Sequence, residues 1–207
     1  MIRIETHIIS ADEPQALEGA VRLLRAGDLV AFPTDTVYGL GAMLMIPSAI
    51  EQLYAVKGRD AAKAIAVLLG DEAALLQVAG ALSGLAARLV ERFWPGPLTL
   101  VVPAHPALPA NLSSQLTVGV RMPDHPVALA LLRRTGPLAV TSANRSGQPS
   151  ARTAEEVYAQ LNGRIPLILD GGETPGGLPS TVVDCTGSEP LILRQGPITL
   201  EQLFDGK

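Results

Sequence analysis

Lys57, Arg59 and Lys63 place three cations within seven residues at the end of a helical pattern. Ammonium groups and the bidentate fork of arginine clamp phosphate oxygens, so this cluster suits a triphosphate. Lys57 taken alone also fits a cation that complements the C-terminal dipole of its helix. A second candidate is Phe32-Pro33-Thr34-Asp35-Thr36-Val37-Tyr38-Gly39-Leu40-Gly41, where hydroxyls and a carboxylate follow an apolar run and two glycines allow close backbone approach. Such a loop either receives a small polar ligand or satisfies its own backbone as a Thr/Asp turn.

Thr117-Val118-Gly119-Val120-Arg121 reads as a strand that ends in an arginine able to hold a carboxylate. Asp124 is the competing ion partner in the sequence, and His125, beside two prolines, reads as structural. The run Val140-Thr141-Ser142-Ala143-Asn144-Arg145-Ser146-Gly147-Gln148-Pro149-Ser150 packs hydroxyls and amides after another apolar stretch. Loops of that composition bind phosphate or ribose oxygens, or close on themselves as Asx and Ser turns. The last cluster joins Asp170-Gly171-Gly172, Ser180-Thr181 and Arg194-Gln195-Gly196. These clusters fall at strand ends, where open α/β sheets put their ligands. The G-x-x-x-x-G-K-[ST], G-x-G-x-x-G, H-E-x-x-H and G-x-S-x-G motifs are absent, so any nucleotide is bound by another route.

Apolar runs interleaved with helical patterns supply the frame for these clusters. Residues 2–9 read as a strand, and Ser10 with Glu13 as a capping box for a helix that buries Leu17, Ala20, Val21 and Leu24 before Gly27. Residues 29–32 form a short buried strand, Ser48 and Glu51 cap a helix that stops at Gly58, and 65–69 is a strand. Two Ala/Leu-rich helices then run to about Phe93 and halt at Trp94-Pro95-Gly96-Pro97. Further strands are expected at 98–102, 117–121, 138–141, 167–170, 181–184 and 191–194, with helices near 126–134 and 153–161. The prediction is an α/β, three-layer single domain over residues 1–207, with an open, twisted, mixed parallel/antiparallel sheet flanked by helices and no additional C-terminal domain. Several connections are too short for helical crossovers, which makes the sheet mixed.

Composition narrows the function classes. With 207 residues, 47% of them hydrophobic, the chain has enough apolar surface for one good core. A net charge of -4 without blocks of like charge lacks the basic footprint of a general nucleic-acid binder. Cys185 is the only cysteine, which excludes an internal disulfide and a Cys-based zinc cluster, and its Thr-Val-Val-Asp-Cys-Thr setting reads as a buried strand. No signal-peptide pattern and no membrane-length apolar run is present, so a soluble, cytoplasmic protein is expected.

Together the motifs F-P-T-D-T-V-Y-G-L-G, K-G-R, W-P-G-P-L-T-L, T-S-A-N-x-S-G and P-S-T-V-V-D with L-R-Q-G resemble the YrdC-like family, specifically its short-form threonylcarbamoyl-AMP synthases, from about residue 15 to 200. The resemblance implies that L-threonine, bicarbonate and ATP give threonylcarbamoyl-AMP and pyrophosphate, with magnesium accompanying the ATP. A downstream threonylcarbamoyl transferase complex then modifies tRNA. It further implies that Thr36, Arg121, Val140 and Ser180 contact threonine, and that Arg59, Lys63, Thr117, Ser142, Asn144, Ser150 and Arg194 contact ATP. Lys57, Arg59 and Arg121 are the implied catalytic groups. Asp60, Ala64 and Leu68 depart from common family residues. An RNA-binding module without synthase activity is the rival class, disfavoured by the acidic charge. A carbamoyl-transfer module of the hydrogenase-maturation type is disfavoured by the free-standing length.

Overall fold

A computed structural model describes residues 4–58, 60, 63–113 and 115–204. From the N-terminus it runs β1 (His7–Ser10), α1 (Ala16–Arg25), β2 (Val30–Phe32), β3 (Gly39–Met43) and α2 (Pro47–Lys57). The middle comprises β4 (Ala66–Leu68), α3 (Leu75–Val78), α4 (Gly84–Phe93), β5 (Leu98–Pro103), β6 (Thr117–Arg121) and α5 (Pro126–Thr135). Then follow β7 (Leu138–Ser142), α6 (Ala154–Leu161), β8 (Leu167–Asp170), β9 (Thr181–Asp184), β10 (Leu191–Arg194) and α7 (Leu200–Phe204).

Two expected helix starts are corrected. A helix capped by Ser10 needs an N–H at residue 14 for its first intrahelical bond, and Pro14 has none. Ser10 Oγ instead accepts from Asp12 N at 3.3 Å, and α1 begins only at Ala16. The next helix, α2, starts at Pro47 rather than after a Ser48 cap, with proline in the first turn, where its missing N–H costs nothing. It stops at Gly58, whose φ of 59° takes the left-handed conformation.

The strands form one mixed ten-stranded sheet in the order β1-β8-β2-β3-β7-β4-β6-β5-β9-β10. Its parallel pairs are β1/β8, β8/β2, β4/β6 and β5/β9, and the remaining neighbours are antiparallel. The β3 strand was not expected, because its Gly-Leu-Gly start reads as loop. It forms because β2 and β7 lie on either side and satisfy its backbone.

Period-two alternation divides each strand between two faces. Leu40, Val67, Val120, Leu100 and Val183 join a large core with apolar residues of α2, α3, α4, α6 and α7. On the other face α1 and α5 pack Ala20, Leu24, Leu131 and Leu132 against Val30, Phe32, Leu138 and Leu169. Those two helices reach only part of the sheet. Past β7 the second face carries Val140, Ala66, Gly119 and Val101, neighbours across β7, β4, β6 and β5. This row lines a cleft of about 330 Å³. Its floor is low because alanine and glycine occupy the middle. A Cβ at Gly119 would lie 3.3 Å from Thr99 Cγ2, a tight contact that a small shift of that side chain would have to relieve.

Candidate active site

The loop between β2 and β3 forms one wall of the cleft. Thr34 Oγ1 donates to Val37 O at 2.7 Å and accepts from Thr36 N at 3.2 Å, so the turn does satisfy itself through Thr34. That arrangement leaves Asp35 and Thr36 directed at Arg121. The Arg121 guanidinium is buried, at 5% exposure, and donates through Nε to Gly96 O at 2.9 Å and through Nη1 to Thr36 Oγ1 at 3.0 Å. Nη2 forms an ion pair with Asp35 Oδ1. The expected competitor, Asp124, is not its partner; the Asp124 backbone N–H donates to the same Oδ1 at 3.1 Å. Burial pulls the Arg121 pKa down and Asp35 opposes that shift.

Below this wall Tyr38 is buried and gives its hydroxyl hydrogen to Gly172 O at 2.8 Å. Burial pushes its pKa far above the ordinary phenol range, so the phenol stays neutral and continues to donate. The 171–180 segment thereby closes over the loop: Gly177 N donates to Thr36 O at 2.9 Å, and a Cβ on Gly176 would lie 2.8 Å from Asp35 O.

The opposite wall comes from β9, β10 and β5. Arg194 donates through Nε and Nη2 to Ser180 O, and Ser180 Oγ lies 2.8 Å from Thr99 Oγ1. Thr99, Ser180 and Arg194 all line the cleft, as do Thr36, Val140 and Ser142. Thr34 and Asp35 belong to the loop that the sequence marks as a candidate, whereas Thr99 is not among the expected site residues. The signal for Thr99 was a hydroxyl set between buried leucines in W-P-G-P-L-T-L.

Lys57 sits under the 142–146 loop, 3% exposed, with its ammonium donating to Ser142 O and Asn144 O. Ser146 N returns a bond to Lys57 O at 2.8 Å. Asn144 is buried and donates to Arg145 O and Gln148 O, at 2.9 and 2.7 Å. Both residues shape the loop that presents Ser142, and neither lines the cleft. Lys63 is exposed, one position before the cleft residue Ala64. Thr117 lies two residues from Gly119 on the same face of β6, outside the cleft lining. Ser150 lines a separate shallow hollow with Arg152 and Glu156. Arg59 lies outside the described residues. His125 is the N-cap residue of α5 without a side-chain capping bond, and burial lowers its pKa. Among the described residues no group of three or more His, Cys, Asp or Glu is placed to hold a metal. No helix among them is long and apolar enough to cross a membrane.

The Sua5/YciO/YrdC family profile, described as telomere recombination, matches residues 22–196. This chain belongs to that family. Among Sua5/YciO/YrdC relatives, the threonylcarbamoyl-AMP synthase of Bacillus subtilis strain 168 is 46% identical over 201 residues, covering 96% of this chain. The chain spans 58% of that relative's length. A putative threonylcarbamoyl-AMP synthase of Mycobacterium tuberculosis strain H37Rv is 42% identical, with 94% of this chain and 92% of the relative covered. The crystal structure of Sua5 from P. abyssi complexed with L-threonine superposes with a TM-score of 0.90 at 39% identity, over 98% of this chain and 61% of that one.

Proposed function

We propose that this chain is an L-threonylcarbamoyl-AMP synthase, a nucleotidyltransferase that joins L-threonine, CO2 from bicarbonate and ATP and releases pyrophosphate. One observation carries the reading: the hydroxyl-lined cleft bearing Thr36, Val140 and Ser180, in a chain that aligns with a Sua5 solved with L-threonine. Thr36, Arg121, Val140 and Ser180 form the threonine side. Arg59, Lys63, Thr117, Ser142, Asn144, Ser150 and Arg194 are assigned to ATP from the family resemblance; of these Ser142 and Arg194 line the cleft, and Lys57 fixes the loop that offers Ser142.

In this reaction the threonine nitrogen attacks the carbon of CO2 and loses a proton to solvent, which leaves a carbamate. A carbamate oxygen then attacks the α-phosphorus in line, and pyrophosphate departs with the electrons of the broken phosphorus–oxygen bond. No protein nucleophile is needed. The chain holds the reactants in line and offsets developing charge, and positioning of that kind lowers barriers by up to about 7–11 kcal/mol. Magnesium enters as the ATP complex, with phosphate oxygens among its ligands. The product passes to a threonylcarbamoyl transferase acting on tRNA, in the cytoplasm.

Incubating the protein with ATP, magnesium, bicarbonate and L-threonine and searching for threonylcarbamoyl-AMP by mass spectrometry tests the reading. Product that requires all three substrates is the expected result. Folded protein that makes none, yet binds RNA tightly in a salt-sensitive way, would replace the reading with the RNA-binding one.

A further inference from the structure

The contacts around Thr36 are set by which atoms can donate. Val37 O lies 2.7 Å from Thr34 Oγ1, and a carbonyl cannot donate, so the single hydrogen of the Thr34 hydroxyl belongs to that contact. Thr34 Oγ1 also accepts from Thr36 N at 3.2 Å and Val37 N at 3.4 Å, which fill its two acceptor positions, so its 3.0 Å contact with Thr36 Oγ1 does not fix the Thr36 hydrogen. Arg121 Nη1, 3.0 Å away, has no lone pair and occupies one acceptor position on Thr36 Oγ1. A hydroxyl oxygen has two acceptor positions. With Arg121 on one of them, Thr36 keeps an acceptor position for the cleft it lines.

Asp35 maintains this arrangement without lining the cleft. Its Oδ1 takes Arg121 Nη2 and the Asp124 backbone N–H, while Gly96 O takes Arg121 Nε, so the guanidinium plane is fixed on two sides and Nη1 is aimed at Thr36. Asp35 Oδ2 is buried and has no hydrogen-bond partner among the described residues. A residue kept only for fold stability gains by pairing both oxygens, whereas this carboxylate acts through the oxygen on Arg121.

We infer that Asp35 is a positioning residue: it fixes the Arg121 guanidinium so that Nη1 stays on Thr36 Oγ1, and the open acceptor position of Thr36 meets an N–H or O–H donor of the amino-acid substrate. The inference rests on the synthase reading. It assigns Thr36 to the amine or hydroxyl of threonine.

The test measures KM for threonine and for ATP separately, with thermal melts, in Asp35→Ala, Asp35→Asn, Thr36→Val and Thr36→Ser. Wild-type protein that makes no product refutes the synthase reading itself and is recognised before any variant is compared. Given an active wild type, Asp35→Ala raises KM for threonine about tenfold or more and leaves KM for ATP within about twofold. Asp35→Asn, which keeps an acceptor at Oδ1, restores most of that loss. The Asp35→Ala/Thr36→Val double variant is no worse than the poorer single, because both act on one contact. An unchanged threonine KM, equal loss for both substrates, or losses that multiply would overturn the inference. Should Asp35→Ala not fold, the Thr36 pair still decides: Thr36→Ser near wild type with Thr36→Val impaired supports it, and equal behaviour of the two refutes it. Comparing threonine with 2-aminobutyrate, which lacks the hydroxyl, then identifies the donor. If Thr36→Val erases the preference for threonine, the donor is the hydroxyl; if it weakens both substrates alike, the donor is the amine.

Discussion

Arg194 holds Ser180 by backbone and side chain together: Nη2 donates to the Ser180 carbonyl at 2.9 Å and to its hydroxyl at 3.1 Å, while Nε donates to the same carbonyl at 3.1 Å. The contact ties β10 to the turn entering β9 at the rim of the cleft. A lysine keeps the charge and loses the planar fork. Arg194→Lys should therefore lower kcat/KM for pyrophosphate release about tenfold or more, with little change in melting temperature. Activity equal to wild type would show that Ser180 is held without the fork.

Lys57 has its ammonium on two buried carbonyls of the loop after β7. Lys57→Met fits the apolar stem and removes both charged donors; Ser142 O keeps the Asn144 N–H at 3.0 Å while Asn144 O loses the ammonium, at a cost of about 2–4 kcal/mol. For a chain of this size that corresponds to a fall in melting temperature of roughly 5–10 °C. A calorimetric scan checks it. A melting point within a degree or two of wild type would mean that water or another donor replaces the ammonium.

Cys185 is buried, and desolvation, with a smaller contribution from Asp184, pushes its thiol up to about 12. A free thiol ionises near 8.5. The folded protein therefore keeps this proton longer than the unfolded chain does. The stability this contributes is complete below about pH 8.5 and is lost as the pH rises from there towards 12. The native thiol should stay silent to an aromatic disulfide reagent at pH 8 and react fully in guanidinium chloride. Rapid labelling of the folded protein is the contrary result.

Much of the frame was legible because burial imposes period-two and helical patterns on the residues themselves. The strands Thr117–Arg121, Leu167–Asp170, Thr181–Asp184 and Leu191–Arg194 begin and end where alternation predicts. Glycine hid β3, since Gly39 and Gly41 carry no strand propensity. In the sheet those glycines are required: a Cβ at 41 would lie 2.8 Å from the Phe32 ring, and one at 39 would lie 2.9 Å from Val140 Cγ1. That crowding exists only after β2, β3 and β7 have paired.

Sequence alone determined which residue types face the cleft, because alternation sends Val118 and Val120 to the core and Gly119 and Arg121 to the opposite side. It also determined that hydroxyls, glycines and a few cations would do the binding. Partner choice was decided by the tertiary structure. Asp124 stands three positions from Arg121, and sequence distance favours it. Asp35, 86 positions away, takes the guanidinium because the loop after β2 reaches past the ends of β3, β7 and β4, which lie between β2 and β6 in the sheet, to the end of β6. A buried arginine pairs with the carboxylate delivered to its plane, and only the folded sheet fixes which one that is.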